Sequence, residues 1–497
     1  MSAQADILEV NRSVIAALEK HNKIELEFAF FDKAVRNRIL VILSGLFTRQ
    51  KQEFLVQTIQ KFASELIINA EKANMKRVFL QKENLDISNP QEYAKGLKRF
   101  REEVLQNKPI YQKALLDSPY TIIFSAEKLE NGSKIAVENN AGITEQEMRL
   151  VQRRIRLAKA FTDLDEIFEQ EEETQEGAGL GLLLILMVLK NIGIPIDNFK
   201  FKPARDKCRF ELFIPQNLVR PDHIEAIIQD LEKEIELIPT FPQNIQEVIQ
   251  ICEDPEAGVS DVTKKIEADP ALASQLLKLA NSALYAGSSK VTSLAQAAAR
   301  AGLNAIRDMA VALSAKKIIE SRYKVFQDFW KHANQTAFYA KQLADHLGRK
   351  EQAESMYISG LLHDLGKIIL QAVEPESSEK IIKRERPDLK INTSILEEVQ
   401  LGISHSQVGA KIAMHWHFPE ELVSAIDHHH YPAAAPEEYR FAASLVHLAD
   451  SLARIDDKQK TYYQIDTFAL DMLNIQSMRE LEILHEKLKK NWIQFTV

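Results

Sequence analysis

The sequence predicts a multidomain α+β protein, with an α/β sandwich in the N-terminal half and an all-α helical bundle in the C-terminal half. Three observations carry this. Strand-like and helix-like segments alternate up to about residue 216, and no convincing strand pattern follows Asp222. A chain of 497 residues exceeds the ~250–300 residues at which single cores stop growing, so two or more domains are expected. Pro215 and Pro221 bracket a short connector, which places the boundary near 216–222.

Residues 4–78 read as helix, because apolar residues recur at helical spacing through Ile39–Leu43 and again through Phe54, Leu55, Ile59, Phe62, Leu66 and Ile67. A second helical stretch, 91–117, opens at Ser88-Asn89-Pro90, where Ser or Asn serves as a cap. Tyr120–Ala126 is β-rich, Glu130-Asn131-Gly132-Ser133 is a turn signal, and Lys134–Glu138 pairs back. The Asn-Gly pair suits the positive φ angles of a tight hairpin. Helix returns over 144–169. The acidic stretch Glu169–Glu176 reads as mobile, and Gly177 opens a helix that ends near Asn191. Strands at Phe199–Phe201 and Arg209–Ile214 complete the half.

Hydrophobic residues make up 45% and charged residues 27%, an ordinary globular composition. A net charge of −8 supplies no general attraction to nucleic acid or to an anionic membrane. Two cysteines, Cys208 and Cys252, make neither a disulfide framework nor a zinc ribbon. With no signal peptide visible and no apolar run near the ~20 residues of a spanning helix, a cytoplasmic location without membrane insertion is expected.

The N-terminal half contains Gly177-Ala178-Gly179-Leu180-Gly181 ahead of an apolar helical run. Such glycines let a backbone approach phosphates, and the following helix N-terminus favours anions. No Lys-Ser or Lys-Thr follows, so this is not a P-loop. No strand precedes it, so a Rossmann turn is not expected. Upstream, Glu65, Asn69 and Lys72 share one face of an apolar helix. A carboxylate, an amide and an ammonium so placed suit Mg²⁺ and a triphosphate.

These two segments resemble the N box and G2 box of the histidine-kinase-like ATPase fold, the GHKL or Bergerat superfamily. The resemblance covers about residues 50–216 and closes on the strand Phe210–Pro215. It implies ATP with Mg²⁺ as cofactor. Asn69 would hold Mg²⁺, Glu65 would orient or activate water, and Lys72 would join the site. Gly177, Gly179, Leu180 and Gly181 would wrap the phosphates beneath a lid at 145–176. The adenine-binding segment corresponds to Asn139, Asn140 and Gly142, with Asn139 where the family has Asp and one glycine lost. Asn139 would accept a hydrogen bond from adenine without charge assistance. His21, the one histidine before residue 220, does not sit in a phosphoacceptor context, so an autophosphorylating histidine kinase is not expected.

In the C-terminal half an adjacent pair, His363-Asp364, follows Ser359-Gly360-Leu361-Leu362 and precedes Gly366-Lys367. Nitrogen and oxygen donors side by side suit a divalent metal next to a phosphate. Five further candidates, His332, His405, His429, His430 and Asp450, lie in segments that read as helices. The segment from about 230 to 435 resembles an HDOD domain, the HD-related output domain of bacterial signalling proteins. The resemblance rests on Leu237–Pro242, Asp269-Pro270-Ala271-Leu272, Ala280-Asn281-Ser282, Trp330-Lys331-His332, the His363-Asp364 segment, Gly402–His405 and Trp416–Pro419. It implies a divalent transition metal on His332, His363, Asp364, His405, His429, His430 and Asp450, with Lys367 contacting a phosphate. Tyr431-Pro432 follows the histidines, and the Gly-Tyr-Pro segment of the cyclic-dinucleotide branch is missing.

The expected organisation is a helical region (1–49), a histidine-kinase-like ATPase domain (50–216), a linker (217–230), an HDOD domain (231–435) and a helical extension (436–497). Two functions stay open. One is a signalling protein, in which the nucleotide-binding domain controls the HDOD domain through protein contacts, with signalling partners and a homodimer as candidate assemblies. The other is a metal-dependent phosphohydrolase of the HD superfamily regulated by the N-terminal domain.

Overall fold

The structure is a computed structural model that describes residues 22–85, 89, 91–93, 95–96, 99–100, 108–161, 166, 180–254, 258–281, 290–325, 327–384 and 393–496. The chain divides into two compact units. One holds the chain up to Glu225 together with Glu398–Gly402; the other holds Ala226–Glu397 and the chain from Ile403 onward.

The first unit is built on a five-stranded antiparallel sheet, β1 (Lys23–Phe28), β2 (Ile122–Leu129), β3 (Gly132–Asn139), β4 (Phe199–Pro203) and β5 (Cys208–Pro215), in the order β1-β2-β3-β5-β4. Helices α1 (Lys33–Thr48) and α2 (Val56–Lys82) pack on it, joined by α3 (Lys108–Leu116), α4 (Glu145–Ala160) and α5 (Leu180–Asn191). The β2–β3 hairpin forms as expected, Leu129 pairing with Gly132 across Glu130-Asn131. Asp32 caps α1 by accepting from the Val35 amide at 2.8 Å. Thr144 and Glu147 form a capping box at the start of α4.

One expectation is corrected here. The segment read as continuous helix over 4–78 contains β1, whose residues Lys23–Phe28 pair with Ile122–Glu127. Lys-Ile-Glu-Leu-Glu-Phe alternates with period two and is half-buried on alternate residues, as an edge strand requires. Its composition, rich in Lys, Glu and Leu, carries high helix propensity that tertiary pairing overrides.

The second unit is helical throughout its described residues: α6 (Asp222–Glu236), which begins in the first unit and lies in the segment read as a linker, then α7 (Gln243–Glu253), α8 (Val259–Glu267), α9 (Pro270–Ala280), α10 (Leu294–Ala301), α11 (Leu303–Arg322) and α12 (Gln327–His346). They are followed by α13 (Ala353–Leu362), α14 (Gly366–Val373), α15 (Pro375–Arg384), α16 (Thr393–Leu401), α17 (His405–His415), α18 (Glu420–His428), α19 (Arg440–Asp456), α20 (Thr467–Met472) and α21 (Met478–Thr496). Phe338, Tyr339 and Leu343 of α12 share a core with Leu445, Leu448 and Leu452 of α19 and Leu481, Leu484 and Leu488 of α21. The terminal helices therefore complete the bundle that carries the histidines. No helix among the described residues is long and apolar enough to cross a membrane.

The sequence motifs of this half have structural roles. Asp269 caps α9, accepting from the Ala271 and Leu272 amides at 3.0 and 3.1 Å, with Pro270 in the first turn. Asn281 binds the Val291 backbone in both directions at 2.8 Å. Phe241 packs on Trp416 and Phe418, and the Trp416 indole donates to the Pro239 carbonyl at 3.1 Å.

Candidate functional site

The His363-Asp364 pair occupies the turn between α13 and α14. Two glycines fix its place. A Cβ on Gly360 would lie 2.8 Å from the Ala337 Cα, so α13 packs tightly on α12 and brings His363 to His332. A Cβ on Gly366 would lie 2.0 Å from the His405 carbonyl oxygen, so the turn sits directly on the start of α17.

The seven histidine and aspartate candidates converge. Two groups, His332-His363-Asp364-Asp450 and Asp364-His405-His429-His430, each place their ligand atoms within 4.8 Å of one another and share Asp364. His332 Nε2 is 3.0 Å from Asp450 Oδ1. His363 Nε2 is 3.4 Å from both Asp364 Oδ2 and Asp450 Oδ1. On the other side of Asp364, its Oδ1 is 3.1 Å from His405 Nε2, which is itself 2.9 Å from His430 Nε2. The two oxygens of Asp364 thus serve one group each, the geometry of a carboxylate bridging two cations.

The rings are oriented from behind. His363 Nδ1 donates to the Gly360 carbonyl and His429 Nδ1 to the Ile426 carbonyl, each at 2.7 Å. His405 Nδ1 donates to Glu397 Oε2 at 2.5 Å. A proton held on Nδ1 leaves Nε2 as the bare donor facing the cluster, the arrangement found behind metal-bound histidines. Three of the facing atoms, His363 Nε2, Asp364 Oδ1 and His429 Nε2, are buried and make no hydrogen bond. Buried polar atoms without partners are uncommon and costly, about 1–3 kcal/mol each. His363 Nε2 belongs to the first group and Asp364 Oδ1 and His429 Nε2 to the second, so each group holds a buried atom whose missing partner a cation fits.

The electrostatics agree. Burial and the neighbouring imidazoles hold His429 and His430 well below the usual histidine range, so both stay neutral. Burial opposes charge on His363, but Asp364 and Asp450 outweigh it and push it up to about 9. A metal ion would compete for that position with the proton. Asp364 and Asp450 are held well below the carboxylate range against the effect of burial, by His363 and Lys367 at the first and by Arg454 at the second. Lys367 Nζ lies 2.7 Å from Asp364 Oδ2. Arg454 donates from Nε to Asp450 Oδ1 at 2.7 Å and lies 3.2 Å from Asp364 Oδ2.

Glu397 and Arg454 escaped the sequence reading. Glu397 is one of two acidic residues in an ordinary helix, and only the fold shows it behind His405. Arg454 had a usable signal, lying one helical turn after Asp450 on the same face.

In the first unit, Asn69 donates to Glu65 Oε1 at 2.9 Å. A Cβ on Gly181 would lie 2.3 Å from that same oxygen, so Glu65, Asn69 and the first turn of α5 meet. Leu180 is buried. Lys72 is exposed on α2. Asn139 is buried and donates to Asn74 Oδ1 of α2 at 3.1 Å. The Gly142 carbonyl accepts from Arg77 of α2 at 2.6 Å. Asn140 is taken up by backbone, accepting from the Thr121 amide and donating to the Pro119 carbonyl, both at 2.7 Å. Gly177, Gly179 and the acidic stretch 169–176 lie outside the described residues. Within the expected lid, α4 is tied to α2 through Glu147, which pairs with Lys76 at 2.6 Å and Arg77 at 2.9 Å.

Comparison with known proteins places the second unit. Residues 238–432 match the HDOD domain family. Among solved structures, a Shewanella amazonensis protein provisionally named a phosphohydrolase is 25% identical, with a TM-score of 0.44, over 53% of this chain and 95% of its own. An HDOD domain protein of unknown function from Geobacter sulfurreducens is 20% identical, with a TM-score of 0.45, over 55% of this chain and 96% of its own. An uncharacterized protein of Treponema pallidum (strain Nichols) is 30% identical over 432 residues, 86% of this chain and 83% of that protein. The chain therefore belongs to the family of this Treponema pallidum protein, and its residues 238–432 are an HDOD domain.

Proposed function

We propose that this protein is a signal-transduction protein whose HDOD domain is built around a divalent-metal centre and whose N-terminal unit binds ATP with Mg²⁺ to control it. The observation that carries the metal centre is that each of the two groups holds a buried atom without a hydrogen bond, His363 Nε2 in one and Asp364 Oδ1 with His429 Nε2 in the other. His332, His363, Asp364 and Asp450 would hold one ion, and Asp364, His405, His429 and His430 the other. The mixed nitrogen and oxygen donor set suits a first-row transition metal. Metal analysis of the purified protein tests this: about two equivalents of Mn, Fe, Ni or Zn are expected, lost together in His363→Ala/Asp364→Ala. Metal-free protein that stays metal-free in excess Mn²⁺ or Zn²⁺ refutes it.

The nucleotide reading is supported by the meeting of Glu65, Asn69 and Gly181, a carboxylate–amide pair at the start of an apolar helix. Calorimetry with Mg-ATP is expected to show binding that Asn69→Ala abolishes. Equal affinity in the two proteins sinks the nucleotide reading.

A second reading is a metal-dependent phosphohydrolase. It is favoured by Lys367, whose partly exposed ammonium faces Asp364 at 2.7 Å. A bound metal would supply an activated water and polarise a phosphoryl group. This chain's own residues would orient the ligands, exclude bulk water and place a cation beside the phosphate. Release of phosphate from a phosphate ester, lost with the metal, distinguishes this reading from a purely structural centre.

A further inference from the structure

We propose that Arg454 is the anion clamp of the metal centre, so that the ion at the His332 end and a phosphate group bind together rather than independently. This rests on the metal reading above. The two halves of the cluster differ in a way that no ligand list shows. At the His405–His429–His430 end, Asp364 Oδ1 meets imidazole nitrogens. At the other end, both carboxylates already face permanent cations. Arg454 spans them, with Nε on Asp450 Oδ1 at 2.7 Å and its terminal nitrogen 3.2 Å from Asp364 Oδ2, and Lys367 reaches the same Asp364 oxygen at 2.7 Å.

These oxygens are also the ones nearest His332 and His363. Once it has displaced the proton from His363, a divalent ion there meets charges of the protein that are balanced, two carboxylates against one guanidinium and one ammonium. It must displace those cations or bring an anion with it. A guanidinium is permanently charged and matches a phosphate with two parallel donors. It is tethered one helical turn from Asp450, so once released from the carboxylates it remains beside the ion. Access is on the same side. His332, Lys367 and Arg454 keep 16%, 25% and 16% of their side-chain surface exposed, whereas His363, His405 and His429 keep none.

Two Mn²⁺ steps are therefore expected, and inorganic phosphate should act on one of them. Full-length protein is titrated with Mn²⁺ by calorimetry, with and without phosphate. In wild type, phosphate strengthens one step by at least about fivefold, the low end of ordinary coupling between sites, and leaves the other within about twofold. In Arg454→Met that step is tighter without phosphate, because a competing cation is gone, and phosphate no longer improves it. Arg454→Lys keeps a charge without the fork, protects the fold, and should retain less than half of the phosphate effect. A wild type that binds Mn²⁺ indifferently to phosphate overturns the proposal alone. So does an Arg454→Met or Arg454→Lys protein with the full phosphate effect. A wild type that takes up no Mn²⁺ in either condition overturns the metal reading, and the proposal falls with it.

Discussion

Replacing Glu397 by Gln removes one charge and almost no volume, and it isolates what stands behind a proposed metal ligand. Glu397 is buried and accepts two bonds through the same oxygen, from His405 Nδ1 at 2.5 Å and from the His405 amide at 2.7 Å. The first fixes the tautomer that turns Nε2 toward Asp364 and His430. A buried hydrogen bond to a charged group contributes about 1.5–3 kcal/mol, against about 1 for a neutral pair. The difference of about 0.5–2 kcal/mol corresponds to a loss of about 2- to 30-fold in metal affinity, overlapping the ~10–100-fold cost of altering groups behind metal ligands. The loss should fall on the His405–His429–His430 ion and leave the His332 ion within about twofold. Calorimetry with Mn²⁺ or Zn²⁺ reads both steps, and circular dichroism confirms the fold. A folded Glu397→Gln protein with unchanged affinity, or with both steps weakened alike, refutes this role for Glu397.

Three further outcomes follow from the packing. Gly366→Ala places a methyl 2.0 Å from the His405 carbonyl, so it should lower stability by about 1–3 kcal/mol in urea unfolding and weaken metal uptake as well. Lys61 and Glu398 of the first unit pair at 2.6 Å with both side chains buried. Lys61→Met should destabilise by about 3 kcal/mol, and adding Glu398→Gln should recover most of it. Asp456 accepts from Gln335 at 2.8 Å and Tyr339 at 2.5 Å and lies 3.4 Å from His485. Burial opposes its charge, but His485 and Tyr339 outweigh that and pull it down to about 2. A depressed carboxyl stabilises the fold fully above its unfolded pKa and loses that contribution as pH falls through the folded one. Asp456→Asn should thus cost about 1–2 kcal/mol at pH 7 after allowance for solvent screening, and roughly half as much at pH 3. An equal cost at both pH values would contradict it.

What could be read from the chain alone depended on whether a residue's role was local. The β2–β3 hairpin was legible because two β-rich runs flank a turn sequence. The capping Asp269-Pro270 pair was legible as a motif, though its role became plain only once α9 was seen to start there. β1 was not legible, since Lys, Glu and Leu favour helix and only pairing with β2 selects the extended form. The candidate metal ligands are legible one by one from residue type and family likeness. Their division into two groups around Asp364 was not available, because it depends on where helices far apart in sequence meet. Glu397 was hidden for the same reason. The residues proposed for nucleotide binding divide similarly. Glu65 and Gly181 come together, whereas Asn140 turns to its neighbouring backbone.

Helix α16 carries two consecutive acidic residues at its centre, with different partners. Glu397 holds the His405 imidazole, and Glu398 is bonded to Lys61, one turn before Glu65 on α2. Asn191, the last residue of α5, donates to the Glu398 and Val399 carbonyls at 3.1 and 2.6 Å. Successive side chains on a helix diverge by about 100°, so Glu397 and Glu398 leave α16 in different directions. Glu397 grips both the ring and the amide of His405, so that imidazole has one setting as long as the start of α17 stays in place.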